Sequence, residues 1–317
     1  MTGGAGFIGS HLVDRLVSQG CEVRVFDDLS SGRLENMKDH IGENCVEFVE
    51  GSLLDRRAVS DLVRSVDAVV HLAAIVSVPF SISNPERTYD VNVYGTKVLL
   101  DQCVANGVER VVFGSSCAVY GEASYVPIDE LHSTDPLSPY AETKLVAEQM
   151  LVKDYGGECL SAVALRFFNV YGRRQAGNNY AGVISSFMEH LTRGMPLIIY
   201  GDGRQTRDFV HVSDVVEAVW LALKQKDSEG VFNIASGKPV RIRELAKIMS
   251  RLVNVEEPSI VFEDPREGDI RNSHGDYSKA MEKLGYQPRK TLNMGLSELL
   301  EDIEVAGKKA VREATIS

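Results

Sequence analysis

The chain has 317 residues, of which 44% are hydrophobic, 7% aromatic and 25% charged. These ordinary globular values exclude a mostly disordered or fibrous chain, and the length suits one large α/β unit or two fused lobes. With 45 acidic against 34 basic residues the net charge is −11, which argues against general nucleic-acid binding. It leaves local Arg residues or backbone N–H groups able to hold an anionic ligand.

The chain opens inside a glycine-rich loop, Met1-Thr2-Gly3-Gly4-Ala5-Gly6. Such a loop ordinarily hangs from a strand, so the first strand of the sheet is expected to be truncated by roughly 5–6 residues. Ile8, Leu12, Val13, Leu16 and Val17 mark one face of a helix. Strands are expected at Cys21–Phe26, Asp67–Leu72, Glu109–Phe113 and Cys159–Phe168, and helices at Asp55–Ser65, Pro85–Ala105 and Ser138–Tyr155. Continuous apolar strands alternating with helices predict a Rossmann-type α/β fold, a doubly wound parallel sheet with helices on both faces.

Beyond Asn169 the pattern becomes less regular. A polar loop at Gly172–Asn179 precedes helices near Val183–Arg193, Val212–Leu223, Arg243–Val253, Ser278–Leu284 and Leu292–Ile303, with strands at Leu197–Tyr200 and Gly230–Ala235. The reading is a cofactor domain over 1–170, with returning segments near 207–235, and a smaller C-terminal substrate lobe over 171–317. The polar tail Gly307–Ser317 is expected to be loosely ordered. Cys21, Cys45, Cys103, Cys117 and Cys159 are widely and irregularly spaced without a CxxC. They point to reduced thiols, a cytoplasmic location and no metal site. No signal peptide is evident, and no apolar run approaches the ~20 residues needed to cross a bilayer.

Three motifs carry chemistry. Thr2-Gly3-Gly4-Ala5-Gly6-Phe7-Ile8-Gly9 satisfies GxxGxxG and GxGxxG, and it opens a helix whose N-terminus can receive a pyrophosphate. The next strand ends at Asp27, whose carboxylate suits the ribose hydroxyls of NAD and would repel a 2′-phosphate, while Arg33 nearby keeps NADP as an alternative. Tyr140-Ala141-Glu142-Thr143-Lys144 places a phenol and an ammonium four residues apart on one helix face. At ~4 Å and an effective dielectric of ~20 the pair would interact by about 4 kcal/mol. That would lower the phenol from about 10 towards about 7, a workable general base. Gly114-Ser115-Ser116-Cys117-Ala118-Val119-Tyr120-Gly121 follows a buried strand and offers two hydroxyls to a substrate oxygen. Tyr120 and Cys117 are read as packed residues.

In this order and spacing the motifs resemble the extended branch of the short-chain dehydrogenase/reductase superfamily over nearly the whole chain. The resemblance implies Ser116, Tyr140 and Lys144 as the catalytic set. It implies NAD held by Gly3, Gly6, Phe7, Ile8 and Gly9, by Asp27, Asp28, Ser30 and Gly32, and by Ser52 and Leu53. Leu72, Ala73, Ala74, Asn92, Tyr140, Lys144 and Phe167 complete that set. Ser52 stands where the family usually has an Asp for the adenine amine.

The second half narrows the resemblance to the UDP-sugar 4-epimerase family. Leu165–Gly172, Gly201–Val212 and Pro265–Asp269 match its UDP-sugar segments. They imply a substrate site of Ser77, Ser116, Tyr140, Asn169, Val183, Tyr200, Arg207, Arg266, Asp269 and Ser273. Arg207 and Arg266 would hold the diphosphate, Asp269 the ribose, and Tyr200 would lie near the uracil. His211 is read as structural. The dehydratases and decarboxylases of this branch carry acids where this chain has Cys117 and Ala118, which leaves reversible hydride transfer at sugar C4. Ser273 falls where strict UDP-glucose enzymes have a tyrosine, so a 2-acetamido sugar is expected to fit. A UDP-glucuronate epimerase or a 4-keto reductase is the alternative. A nucleotide-sensing regulator would be expected to have a damaged catalytic set. The resemblance also implies a homodimer formed by the helices around Arg87–Ala105 and Ser138–Tyr155.

Overall fold

Helix α1 (Phe7–Ser18) starts directly from the glycine loop and buries Leu12, Val13 and Leu16. The computed structural model describes residues 1–42, 45–157, 160–175, 182–266 and 268–302. Cys159, residues 176–179 of the Gly172–Asn179 loop, Glu267 and the tail from 303 onward lie outside them.

Strand β1 (Val23–Asp27) pairs in parallel with β2 (Val46–Glu50). Helix α2 (Arg56–Leu62) is capped by Asp55, whose carboxylate accepts from the N–H groups of Arg57 and Ala58. Strands β3 (Ala68–His71), β4 (Arg110–Ser116) and β5 (Ser161–Phe167) follow, with helices α3 (Val78–Ser83), α4 (Pro85–Tyr89), α5 (Gly95–Ala105) and α6 (Pro139–Gln149) between them.

The two halves of the sheet meet at one residue. Thr2 forms parallel bridges to Phe26 on β1 and His71 on β3. Phe26 N–H donates to the Met1 carbonyl and Gly3 N–H to that of Phe26, both at 2.8 Å, while Thr2 N–H donates to Val70 O at 3.0 Å. Met1–Gly3 thus occupies the central place in the sheet, between β1 and β3, and the glycine loop springs from it.

Period-2 alternation sorts the strands' side chains onto two faces. Val70, Val112 and Val163 face a core with Leu12 and Val13 of α1. Val69, Val111 and Phe113 face the other core, with Val59 of α2, Val98 of α5 and Ala147 of α6. Helices therefore cover both faces, as a parallel sheet requires.

The second half contributes β6 (Asn169–Tyr171), α7 (Val183–Thr192), β7 (Leu197–Tyr200), β8 (Thr206–His211), α8 (Val212–Lys224), β9 (Gly230–Ile234) and β10 (Pro239–Arg241). Helix α9 (Ile242–Leu252), β11 (Ile260–Glu263) and α10 (Ser278–Leu284) complete the named elements, and residues 292–302 are helical. Strand β9 joins the main sheet beside β5, and α8 adds Val215 and Val219 to the α1 core. Strands β10, β8 and β6 form a small sheet, and β11 pairs with β7. Their core contains Phe187, Leu197, Ile199, Phe209, Leu245 and Met249.

Three expectations need correction. The Pro85–Ala105 helix is interrupted by a π turn at Asp90–Tyr94, and the Ser138–Tyr155 helix ends in another at Met150–Tyr155. Strand β4 continues past Phe113 to Ser116, so Ser115 and Ser116 are strand residues and point to opposite faces.

Candidate active site

The glycine loop is closed by contact. A Cβ on Gly3, which sits at φ 71°, would lie 2.6 Å from Ala73 N, and one on Gly9 would lie 2.1 Å from Gly3 O. Helix α1 is capped by Gly6 with no side-chain hydrogen bond and no acid in its first turn. The first-turn N–H groups of Phe7, Ile8 and Gly9 have no intrahelical acceptor, and the helix end is positive, which suits a pyrophosphate.

Asp27 secures this loop from the end of β1. Its Oδ2 accepts from Ala5 N–H at 2.9 Å and its Oδ1 from Leu29 N–H at 3.0 Å. Burial raises its pKa, opposed by those two N–H bonds. An ionised carboxylate has about four acceptor sites, so two remain for ribose hydroxyls. Gly32 packs against Ala5 and Asp27. Asp28 holds Ser30 through both its N–H and its hydroxyl. Ser52 Oγ accepts from Leu54 N–H at 3.3 Å, leaving its own proton to donate. Leu53 is buried against Gly95. Phe167 lies at the end of β5, against Gly114.

A proton-ordered chain links the loop to α5. Thr96 Oγ1 donates to Asn92 O at 2.6 Å, so it must accept from His71 Nε2–H at 2.8 Å. His71 Nδ1 then accepts from Thr2 Oγ1 at 2.7 Å, and Thr2 accepts from Ala73 N–H at 3.3 Å. Every polar atom is matched with a neutral imidazole. Burial, with help from Lys144, pushes the His71 pKa down to about 3. Leu72 and Ala73 are held at the loop by this arrangement. The π turn turns Asn92 inward, where its amide engages both backbone groups of Ile75, just after Ala74, and donates to Thr143 Oγ1 at 3.0 Å. Asn92 is therefore a structural clamp beside the cofactor segment.

Ser116, Tyr140 and Lys144, the residues expected to be catalytic, lie at the facing ends of β4 and α6. Ser138 caps α6 by accepting from Ala141 N–H at 3.2 Å. Ser81 Oγ accepts from Tyr140 N–H at 3.1 Å and donates to Val78 O at 2.7 Å. Thr143 donates to Tyr140 O at 2.8 Å. Tyr140 is thus fixed by Ser81 and Thr143, neither of which the motif reading singled out. Ser116 is adjacent to the phenol, and its hydroxyl favours phenolate.

The expected lowering of Tyr140 is not what the fold provides. Burial pushes its phenol up to about 12 against the opposing Ser116 bond, and burial pushes Lys144 down to about 7. No hydrogen bond joins the two among the described residues. Lys144 Nζ instead lies 4.4 Å over the ring of Phe113. Burial governs both groups, disfavouring the phenolate and the ammonium alike. Lys144 retains donors for a ribose, and Tyr140 retains its proton.

The expectation of two substrate-facing hydroxyls also fails. Ser115 turns away, to Glu148 at 2.6 Å, because neighbouring strand residues face opposite ways. Tyr120 is structural as expected, donating to Asn233 Oδ1 at 2.7 Å. Cys117 is packed, and burial pushes its thiol up to about 12. His211 caps α8 by accepting from Ser213 N–H.

On the second half, Arg207 is ion-paired with Asp269, joining the residues expected at phosphate and ribose. The Arg266 guanidinium lies 3.8 Å over the Tyr200 ring. Asn169 Oδ1 is buried without a hydrogen-bond partner among the described residues, and Ser273 is buried beside the Cys117 thiol. Ser77 caps α3 through Phe80 N–H at 3.1 Å, and Val183 opens α7. Among the described residues no acid, His or Cys cluster could hold a metal. No helix there is long and apolar enough to cross a membrane.

A phosphate loop at the centre of a Rossmann-type sheet, with Ser116, Tyr140 and Lys144 at its edge, defines an NAD-dependent enzyme. Residues 1–235 match the NAD dependent epimerase/dehydratase family, and the chain belongs to it. UDP-glucose 4-epimerase of Mycolicibacterium smegmatis is 38% identical over 304 residues, covering 95% of this chain and 96% of that one. The structure of Thermotoga maritima UDP-glucose 4-epimerase with UDP-glucose superposes with a TM-score of 0.89 at 37% identity, covering 96% of this chain and 98% of that one. UDP-N-acetylglucosamine 4-epimerase from Methanobrevibacter ruminantium, in complex with UDP-N-acetylmuramic acid, gives 0.87 at 35% identity, covering 95% and 97%. Like these relatives, the chain is an enzyme of the epimerase type.

Proposed function

We propose that the enzyme inverts C4 of a UDP-hexose, interconverting UDP-glucose with UDP-galactose and the N-acetylated pair likewise. The observation carrying this reading is the adjacency of Ser116 and Tyr140 beside Cys117 and Ala118. No carboxyl group stands at those two positions to eliminate water.

When bound, NAD supplies a reversible hydride acceptor at sugar C4. Tyr140, as phenolate, takes the C4 hydroxyl proton and returns it to the opposite epimer. Ser116 holds the same oxygen, while Lys144 binds the nicotinamide ribose and stabilises the phenolate. Arg207 and Arg266 grip the diphosphate, and Asp269 and Tyr200 hold the ribose and base end. The 4-keto sugar turns about that anchored end between the two proton transfers. We place the enzyme in the cytoplasm, on its cysteine spacing. We also infer a homodimer across α4–α6, where Tyr89 and Tyr94 are 40% and 57% exposed.

Purified enzyme incubated with UDP-glucose, UDP-galactose and their N-acetylated counterparts should interconvert each C4 pair without accumulating NADH. Tyr140→Phe should reduce turnover by at least about 100-fold. Absence of interconversion would overturn the reading, and turnover of UDP-glucuronate alone or net NADH formation would favour the alternatives.

A further inference from the structure

Behind the catalytic set lies a buried charge cluster that the mechanism above does not use. Glu148 follows Lys144 by one helical turn on α6, and their side chains share a face. Both are almost fully buried, with relative exposures of 2% and 4%. The Glu148 carboxylate is fixed by three donors. Ser115 Oγ donates to Oε2 at 2.6 Å, Arg166 Nε to Oε2 at 3.0 Å, and Arg166 Nη2 to Oε1 at 2.5 Å. Arg166 is itself held 4.6 Å over the ring of Tyr120. The cluster thus ties α6 to the ends of β4 and β5, the two strands beside the reacting centre.

We propose that Glu148 is a positioning residue: its carboxylate, fixed by Ser115 and Arg166 one helical turn along α6 from Lys144, supplies the buried negative charge beside the Lys144 ammonium.

The groups facing Lys144 allow no other carboxylate to do this. From α6 they are Tyr140 and Glu148, from β3 His71, and from β5 Arg166 through Glu148. From β4 the neighbour is the uncharged Phe113 ring. The hydrogen-bond chain makes His71 neutral, Tyr140 is a phenol that burial keeps protonated in the protein without ligand, and Arg166 is cationic. Glu148 is the acid that favours the charged ammonium against burial. It is legible as a Lys-x-x-x-Glu spacing, whereas its Arg166 partner has no local signal.

This inference rests on the catalytic role proposed for Lys144, so the test separates the two. The holoenzyme is assayed across pH for C4 epimerisation, and the lysine ammonium titration is followed by NMR on [15N]lysine-labelled protein. Glu148→Gln should move the Lys144 titration and the alkaline limb of turnover down by about one pH unit. Arg166→Gln should move both up. The double variant removes one charge of each sign, so its titration should return near that of the wild type although its thermal stability stays lowered. A purely structural pair predicts lost stability in all three with no opposed shifts, and that result would overturn the proposal. Should a single variant not fold, the swapped pair Glu148→Arg with Arg166→Glu retains an ion pair and reverses the field at Lys144. A downward shift supports the proposal, and an unmoved titration overturns it. A wild type without epimerase activity but with opposed NMR shifts would refute the function while leaving the electrostatic role of Glu148 standing.

Discussion

Asn92 accepts a hydrogen bond from Ile75 N–H at 2.8 Å and donates one to Ile75 O at 2.9 Å, so one amide closes on both backbone groups of a single residue. That contact fixes the segment from Ala73 to Ser77, which lies between the cofactor loop and the substrate side. Asn92→Ala would leave both Ile75 groups without this partner and remove one donor from Thr143 Oγ1, which keeps its bond to Tyr140 O. A loss of about 2 kcal/mol is expected, measured as a lower denaturant midpoint, together with weaker NAD retention. An unchanged midpoint would show that water replaces the amide.

The buried Lys144 makes stability depend on pH in protein stripped of NAD. Burial lowers its pKa from 10.5 to about 7, so between those values the unfolded chain binds more protons and stability rises with pH. Tyr140 is raised from 10.0 to about 12. There the folded protein keeps a proton the unfolded chain has lost, and stability falls as pH rises through that window. Lys144→Met should remove the rise and stabilise the stripped protein at pH 7 by about 2 kcal/mol while eliminating turnover. Equal pH slopes for both proteins, measured by denaturant titration, would count against this.

The glycine loop has little tolerance. A Cβ on Gly9 would lie 2.1 Å from Gly3 O, a backbone clash that no rotamer relieves. Gly9→Ala should lower NAD affinity by at least roughly tenfold, equivalent to about 1.4 kcal/mol, as read by calorimetric titration of stripped protein. Full affinity would mean that the loop relaxes at low cost.

Ser273 is 1% exposed and neighbours the Cys117 thiol. If this position sets the room beside sugar C2, Ser273→Tyr should cut turnover of UDP-N-acetylglucosamine at least tenfold relative to UDP-glucose. Side-by-side kcat/KM values decide the point, and an unchanged ratio would remove Ser273 from the specificity argument.

The sheet and its helices were legible because buried strands and amphipathic helices repeat over many residues. Tyr140 and Lys144 were legible because one helical turn fixes their spacing. The opposed faces of Ser115 and Ser116 were not, since that required knowing that β4 runs through both. The chain from Thr2 through His71 to Thr96 had no local pattern, because its members come from three elements and meet only when the sheet closes. Tyr140 differs from what its spacing suggests because of environment: burial raises the phenol, a feature that helix periodicity does not carry. In the second half, β6 and β10 have three residues each, too few to express a period.

The pairing of Arg207 with Asp269 gives the substrate side its own counter-ion before any sugar nucleotide arrives. On the proposed binding mode, a diphosphate would exchange one anion for another at Arg207, and Asp269 would turn to a neutral hydroxyl. The displaced charge is local, so the affinity for substrate should respond to ionic strength less steeply than two bare guanidinium groups would dictate. The same pair ties the loop carrying Arg266 to β8.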